Sequence, residues 1–226
     1  MEGLVDFFNQ YGLLLLDETW KTILMVVIGC AGAYIIGLPI GVGFAITAPN
    51  GLHPVRWLNT VLGWIINIGR SIPFIILLVA LIPFTRLVAG TSLGIPGAIP
   101  PLIITAAPFV ARMVEQSIAE VDPSLIEAAQ SFGSSNWQIV TKVMLRESLP
   151  SLVRGAAISF VTLFGYAAMA GTVGAGGLGD LAIRYGYQRF NPEIMLAAVI
   201  MCVIVVQVFQ TVGDVLARKI DHRRQG

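Results

Sequence analysis

Charge is scarce in this chain. Asp, Glu, Lys and Arg make up 12% of its 226 residues, about half the roughly 25% of soluble domains. Hydrophobic residues reach 56%, where soluble domains carry roughly 45–50%. The remaining charges nearly cancel at a net +1. No basic stretch is interleaved with aromatics, which argues against a nucleic-acid partner. There are two cysteines, and both Cys30 and Cys202 fall in apolar runs; they read as buried free thiols rather than a disulfide. His53 and His222 stand alone in polar flanks, with no metal-ligand spacing around either. No serine–histidine or paired-carboxylate arrangement lies inside the apolar runs, so the chain itself is not expected to be a catalyst. The segment from Met1 to Leu16 lacks a positive n-region and carries acids. It does not read as a cleaved signal peptide, and the first apolar span is expected to serve as an uncleaved insertion signal. Neither a solenoid repeat nor an inverted pair of halves is visible.

What is there instead is long uncharged sequence. A bilayer span needs about 20 apolar residues at roughly 1.5 Å each. Ile23 to Thr47, Gly155 to Gly179 and Ile194 to Gly213 meet that length without a charge. The middle divides less cleanly, because Val61 to Pro83 contains Arg70 and Pro100 to Met113 is short. The reading is an all-α membrane protein with five transmembrane helices, forming one domain over residues 1–226. The spans are placed at 23–47, 61–83, 98–118, 153–175 and 194–214, with a polar loop at 119–150. A charge inside a span costs a few kcal/mol. Arg70 is therefore expected either to pair with carbonyls or a carboxylate in the protein interior, or to mark a span that starts near Ser71. Pro73 and Pro83 are expected to bend that helix.

Basic residues orient the spans. The N-terminal segment sets Lys21 against Glu2, Asp6, Asp17 and Glu18. With five spans, nine basic residues fall on one side: Arg56, Arg112, Lys142, Arg146, Arg154, Arg218, Lys219, Arg223 and Arg224. Four fall on the other: Lys21, Arg86, Arg184 and Arg189. The positive-inside rule then places the N-terminus outside, and the 119–150 loop and the C-terminus in the cytoplasm.

That loop carries the densest local signals. Asp122-Pro123 is an N-cap followed by proline at the first helical position. Leu125, Ala128, Ala129 and Phe132 recur at helical spacing and give a face of small and apolar residues. Gly133 suits the left-handed conformation that ends a helix. Ser135-Asn136-Trp137-Gln138 reads as a capping box that starts the next.

Glu127-Ala128-Ala129, followed by Gly133, Leu145 and Pro150, resembles the EAA signature of ATP-binding-cassette (ABC) importer permeases. One position departs, since the family often has proline after the leucine and Arg146 stands here. The resemblance implies a type I importer permease fold in a bacterial inner membrane. It also implies a cytoplasmic coupling helix, with Glu127, Ala128, Ala129, Phe132 and Gly133 engaging a partner ATPase. Two further stretches are similar to the methionine-importer permeases: Arg70-Ser71-Ile72-Pro73-Phe74 through Pro83-Phe84-Thr85-Arg86, and Gly165-Tyr166-Ala167-Ala168-Met169-Ala170-Gly171 through Arg184-Tyr185-Gly186-Tyr187. That subgroup implies a permease homodimer, two ATPase subunits, and a periplasmic or lipid-anchored substrate-binding protein. ATP and magnesium would be bound by the ATPase, with no cofactor in this chain. Alternating access would then carry methionine inward. Another amino acid, a short peptide, or a non-ABC transporter or scaffold remain the alternatives.

Two features inside the fourth apolar run complete the reading. Gly174-Ala175-Gly176-Gly177-Leu178-Gly179 matches a dinucleotide-binding spacing, but it follows a membrane-length run rather than a short strand, and no acid sits at the required distance. Tight packing and a sharp turn are the expected use of these glycines. Val161, Leu163, Ala167, Ala168 and Met169 are expected to line a mostly apolar passage. Tyr166 and Met169, three residues apart on one helical face, are the candidate translocation gate.

Overall fold

A membrane interior offers no water to backbone amides and carbonyls, so a spanning chain must satisfy them within helices. The computed structural model describes residues 2–221, with side chains from residue 6 onward. His222, Arg223 and Arg224, and the side chain of Glu2, lie outside the described residues. Every regular element described is helical.

α1 (Glu2–Thr47) is followed by α2 (Arg56–Ser71), α3 (Phe74–Ala80), α4 (Ile82–Ala89) and α5 (Gly94–Ala119). The polar loop holds α6 (Pro123–Ser131), α7 (Asn136–Gln138) and α8 (Leu145–Glu147). α9 (Leu149–Ala170), α10 (Gly177–Leu181) and α11 (Pro192–Ile220) complete the chain. Wide π turns occupy Ile139–Met144, Gly171–Ala175 and Ala182–Tyr187.

Four helical stretches are long and apolar enough to cross a membrane, and the α2–α3 pair counts as a fifth only as a broken span. The all-helical, five-span expectation holds in that form. α1 has 46 residues, about 69 Å at roughly 1.5 Å per residue, against a hydrocarbon core of about 30 Å. Hydropathy stops at the Asp17–Lys21 charges, whereas the backbone ladder runs through them. With α3 starting at Phe74, just past Ser71, Arg70 fits the expectation of a span that begins there rather than that of interior pairing. It is exposed in the last turn of α2, where a cation complements the partial negative charge of a helix end. Among the described residues no carboxylate lies within ion-pair distance of it.

The chain forms two compact units. One runs up to Ala31 and adds Ile72–Thr105 and Phe160–Phe209. Its core gathers Met25, Leu102, Leu163, Leu178 and Ile194, all at most 1% exposed. Gly29 lets α1 close on α5 and α9, since a methyl there would sit 3.3 Å from both Leu102 and Leu163. Phe160 stacks on Phe209 with ring centroids 3.7 Å apart.

The other unit takes Gly32–Ser71, Ala106–Ser159 and the chain from Gln210 onward. Here small residues set the approach of the helices. A methyl at Gly37 would lie 2.7 Å from the Ala107 carbonyl oxygen, and one at Gly41 would overlap the Ala111 carbonyl. Glycines four apart on α1 thus face Ala107 and Ala111, four apart on α5. This is the close packing that apolar helices use where no hydrophobic force separates protein from lipid. Gly213 of α11 approaches Ala157 of α9 in the same way. Arg154 ties α9 to the end of α11 through Asp221, at 3.0 Å.

Candidate functional site

Most of the 119–150 loop is helical. Asp122 caps α6, its Oδ1 accepting from the Ser124 amide at 2.9 Å, and Pro123 takes the position where no amide is needed. The helix closes in a Schellman motif. The Gly133 amide donates to the Gln130 carbonyl at 2.9 Å, and the Ser134 amide to that of Ala129 at 3.1 Å. Gly133 supplies the left-handed residue at φ 74°. The capping box follows as read from the sequence, with the Ser135 amide on Gln138 Oε1 at 2.9 Å and the Gln138 amide on Ser135 Oγ at 3.3 Å. Ile139, Val140 and Met144 are buried in the π turns that pack against α6. One side of the hairpin is therefore taken up by its own internal packing.

The other side is bare. Phe132 is 89% exposed and Trp137 75%, and Leu125, Glu127 and Ala128 are exposed while Ala129 is half-buried. Phe132 is the C-cap of α6 rather than part of it, so it projects from the turn instead of completing a helical stripe. Trp137, which the sequence offered only as the interior of a capping box, joins this surface. Fully burying a phenylalanine side chain stabilises by about 1.5–3 kcal/mol, and the hairpin displays that potential on a rigid frame. A cavity of about 470 Å³ adjoins α6, with Asn50, Glu115, Ile126, Glu127 and Met144 among its lining.

The end of α9 is the second place where sequence features converge. Met169 is 49% exposed, while the Tyr166 ring stacks on Phe74 with centroids 4.8 Å apart. Leu163 and Ala167, expected to line a passage, are instead 0% and 1% exposed; they point into the core of their own unit, and Leu163 meets Gly29. Of the proposed lining, Met169 is exposed and Val161, Tyr166 and Ala168 are half-buried.

Just past Met169 the helix breaks. Val173 (φ −112°) and Gly174 (φ 98°) leave helical geometry, and Gly176 and Gly177 follow at φ 81° and 84°. α10 then folds back on α9 so closely that a methyl at Gly179 would overlap the Ala168 carbonyl, and one at Gly171 would sit 2.6 Å from the Asp180 amide. The glycine cluster is a packing and turning device, as its membrane context indicated. Among the described residues no group of three or more His, Cys, Asp and Glu stands where it could hold a metal ion.

Helices of membrane length, joined by a rigid hairpin that leaves its aromatic side uncovered, define an integral membrane subunit. The chain belongs to the family of binding-protein-dependent transport system inner membrane components, matching it over residues 37–226. It is accordingly a multi-pass inner-membrane permease subunit and not itself catalytic. It is 50% identical over 210 residues to the probable D-methionine transport system permease protein MetI of Vibrio cholerae serotype O1, covering 93% of each chain. It is 41% identical over 178 residues to the methionine import system permease protein MetP of Bacillus subtilis, covering 79% of this chain and 80% of that one. A chain of the MetNI methionine ABC transporter, solved in inward-facing conformations, superposes with a TM-score of 0.92 at 44% identity. That match covers 94% of this chain and 99% of the other.

Proposed function

We propose that this chain is the permease subunit of an ATP-driven methionine importer, working as a homodimer with two ATPase subunits and a periplasmic or lipid-anchored substrate-binding protein. The observation that carries the reading is the doubly capped hairpin. Its helices pack on one another, and Phe132 and Trp137 stay exposed, at 89% and 75%. An aromatic surface on so stiff a support suits transmission of force, because motion of whatever covers it passes to the helices without being absorbed by a slack loop.

Glu127, Ala128, Ala129, Phe132 and Gly133 form the ATPase-coupling element, with the loop and the C-terminus in the cytoplasm and the N-terminus outside. ATP and magnesium stay with the ATPase. When ATP closes the ATPase pair, the two coupling helices are drawn together and the paired permeases open outward to receive substrate. Hydrolysis and release return them to the inward-facing state. Met169, exposed on α9 next to Tyr166, narrows the path near the dimer axis. A flexible thioether can reshape around a passing side chain without holding it by charge. The similarity to methionine permeases supports methionine as cargo.

The test is uptake by proteoliposomes containing the purified permease and the ATPase that co-purifies with it, offered a panel of amino acids with and without ATP. ATP-dependent accumulation of methionine above the rest of the panel supports the reading. Accumulation of another amino acid moves the substrate assignment, and uptake indifferent to ATP overturns the importer.

A further inference from the structure

The charges that interrupt the apolar sequence of α1 meet the glycines that follow α9. Glu18 is only 4% exposed. Its Oε2 accepts from the Gly177 amide at 2.6 Å, and its Oε1 from Lys21 Nζ at 2.8 Å. Lys21 in turn pairs with Asp17 at 2.7 Å. One turn along α1, Thr22 Oγ1 donates to the Glu18 carbonyl at 3.0 Å and accepts from the Leu178 amide at 2.8 Å. The two amides that begin α10 are thus held by two side chains four residues apart on α1. The fit admits nothing larger than glycine, since a methyl at Gly177 would lie 2.6 Å from Thr22 Oγ1. Hydrogen bonds to an ionised carboxylate are shorter and about twice as strong as neutral ones, and a buried amide deprived of its acceptor is costly. A cavity of about 460 Å³ opens alongside, bordered by Lys21, Pro96, Gly174, Asp180 and Arg184.

We propose that Glu18 is a positioning residue for transport: with Thr22 it latches the unwound stretch after α9 and so fixes the helix end that carries Tyr166 and Met169. The proposal rests on the reading of Met169 as the narrow point of the path. The stretch leaves helical geometry at Val173 and Gly174 and continues through left-handed glycines, so partners from another element steady it. Without the latch, α9 keeps its core contacts through Leu163 and Ala167, but its last turn loses the support that sets the width of the closed path.

The experiment uses the assembled transporter in proteoliposomes, with three variants of the latch, Met169→Trp beside them, and two readouts. The first is efflux of preloaded radiolabelled methionine without ATP, together with methionine imported per ATP hydrolysed. The second is the reaction rate of an impermeant thiol reagent with a cysteine placed at the exposed Thr172, in a background lacking Cys30 and Cys202. Glu18→Ala is expected to raise efflux about tenfold, the scale of one lost charge-assisted hydrogen bond, to lower import per ATP, and to speed labelling at 172. Glu18→Gln, which keeps an oxygen acceptor for the Gly177 amide, is expected to return both readouts to within about threefold of the parent. Thr22→Val, which removes the Leu178 contact and the hydroxyl's bond to the Glu18 carbonyl but leaves the Gly177 contact, is expected to fall between them, and it decides the matter if Glu18→Ala does not assemble. Parental efflux and stoichiometry in assembled Glu18→Ala, or in Thr22→Val where that variant decides, overturn the latch; so does a Gln variant that leaks like Ala. If Met169→Trp transports normally while Glu18→Ala leaks, the gate assignment falls and the latch stands.

Discussion

Gly133 offers a graded test of whether the hairpin's rigidity matters for the coupling proposed for it. Its φ of 74° lies where an L side chain costs roughly 1–2 kcal/mol, and a β-branched one more. A Cβ added there would meet nothing within 4 Å, so within this chain the penalty is one of backbone conformation rather than crowding. The order of damage follows. Asn tolerates the left-handed region and should cost a few tenths of a kcal/mol; Ala should cost about 1, and Val about 2. Where docking requires the closed turn, such costs reduce association with the ATPase by about 5–30-fold for Ala and Val, with Asn near the parent. The measurements are ATPase retained on immobilised permease in detergent, and ATP-driven methionine uptake, for Gly133→Asn, Gly133→Ala and Gly133→Val. Membrane insertion and expression should not change. Full association and uptake by the Val variant would refute the argument. An Asn variant as impaired as Val would replace conformational strain with contact against the partner as the cause.

Reversing charge with Glu127→Lys on the exposed face of α6 should weaken ATPase association several-fold while the permease still inserts; unchanged coupling would remove Glu127 from the docking surface. A cysteine at position 184 should react with an impermeant reagent from outside and one at 142 only from inside, and labelling of both from one face would overturn the proposed orientation. Met169→Trp should block uptake with ATPase binding intact, and normal transport by that variant would reduce Met169 to a packing residue.

The hairpin was legible in the sequence because its determinants are local. Asp122-Pro123, Gly133 and the Ser135–Gln138 box each act within four residues, and the structure realises every one of them. The spans were legible by composition, but their limits were not. Hydropathy sums over a window and stops at charge, while a helix stops where its hydrogen bonds can no longer be made. α1 therefore begins well before Ile23, and the second span breaks between Ser71 and Phe74 at Pro73. The fate of Arg70 depended on that break, which turns an apparent mid-span charge into a helix-end residue.

The passage was harder to read, because helical spacing says which residues share a face but not what that face meets. Tyr166 and Met169 do lie three apart, yet Tyr166 is occupied by Phe74, and Leu163 and Ala167 turn into the core. Small residues carry a further signal. Gly37 and Gly41, spaced by four in an apolar run, announce a close helix contact, though not that Ala107 and Ala111 supply its other side. Farthest from view was the union of Glu18 with Gly177, 159 residues apart. Each belonged to a visible feature, a charged cluster ahead of the first apolar run and a glycine cluster at the end of the fourth. A carboxylate driven out of water needs donors, and a helix broken inside a protein needs acceptors for its freed amides. Each deficit is the other's remedy. Two such features in one membrane chain are therefore grounds to look for a contact between them, even where no local pattern connects the two.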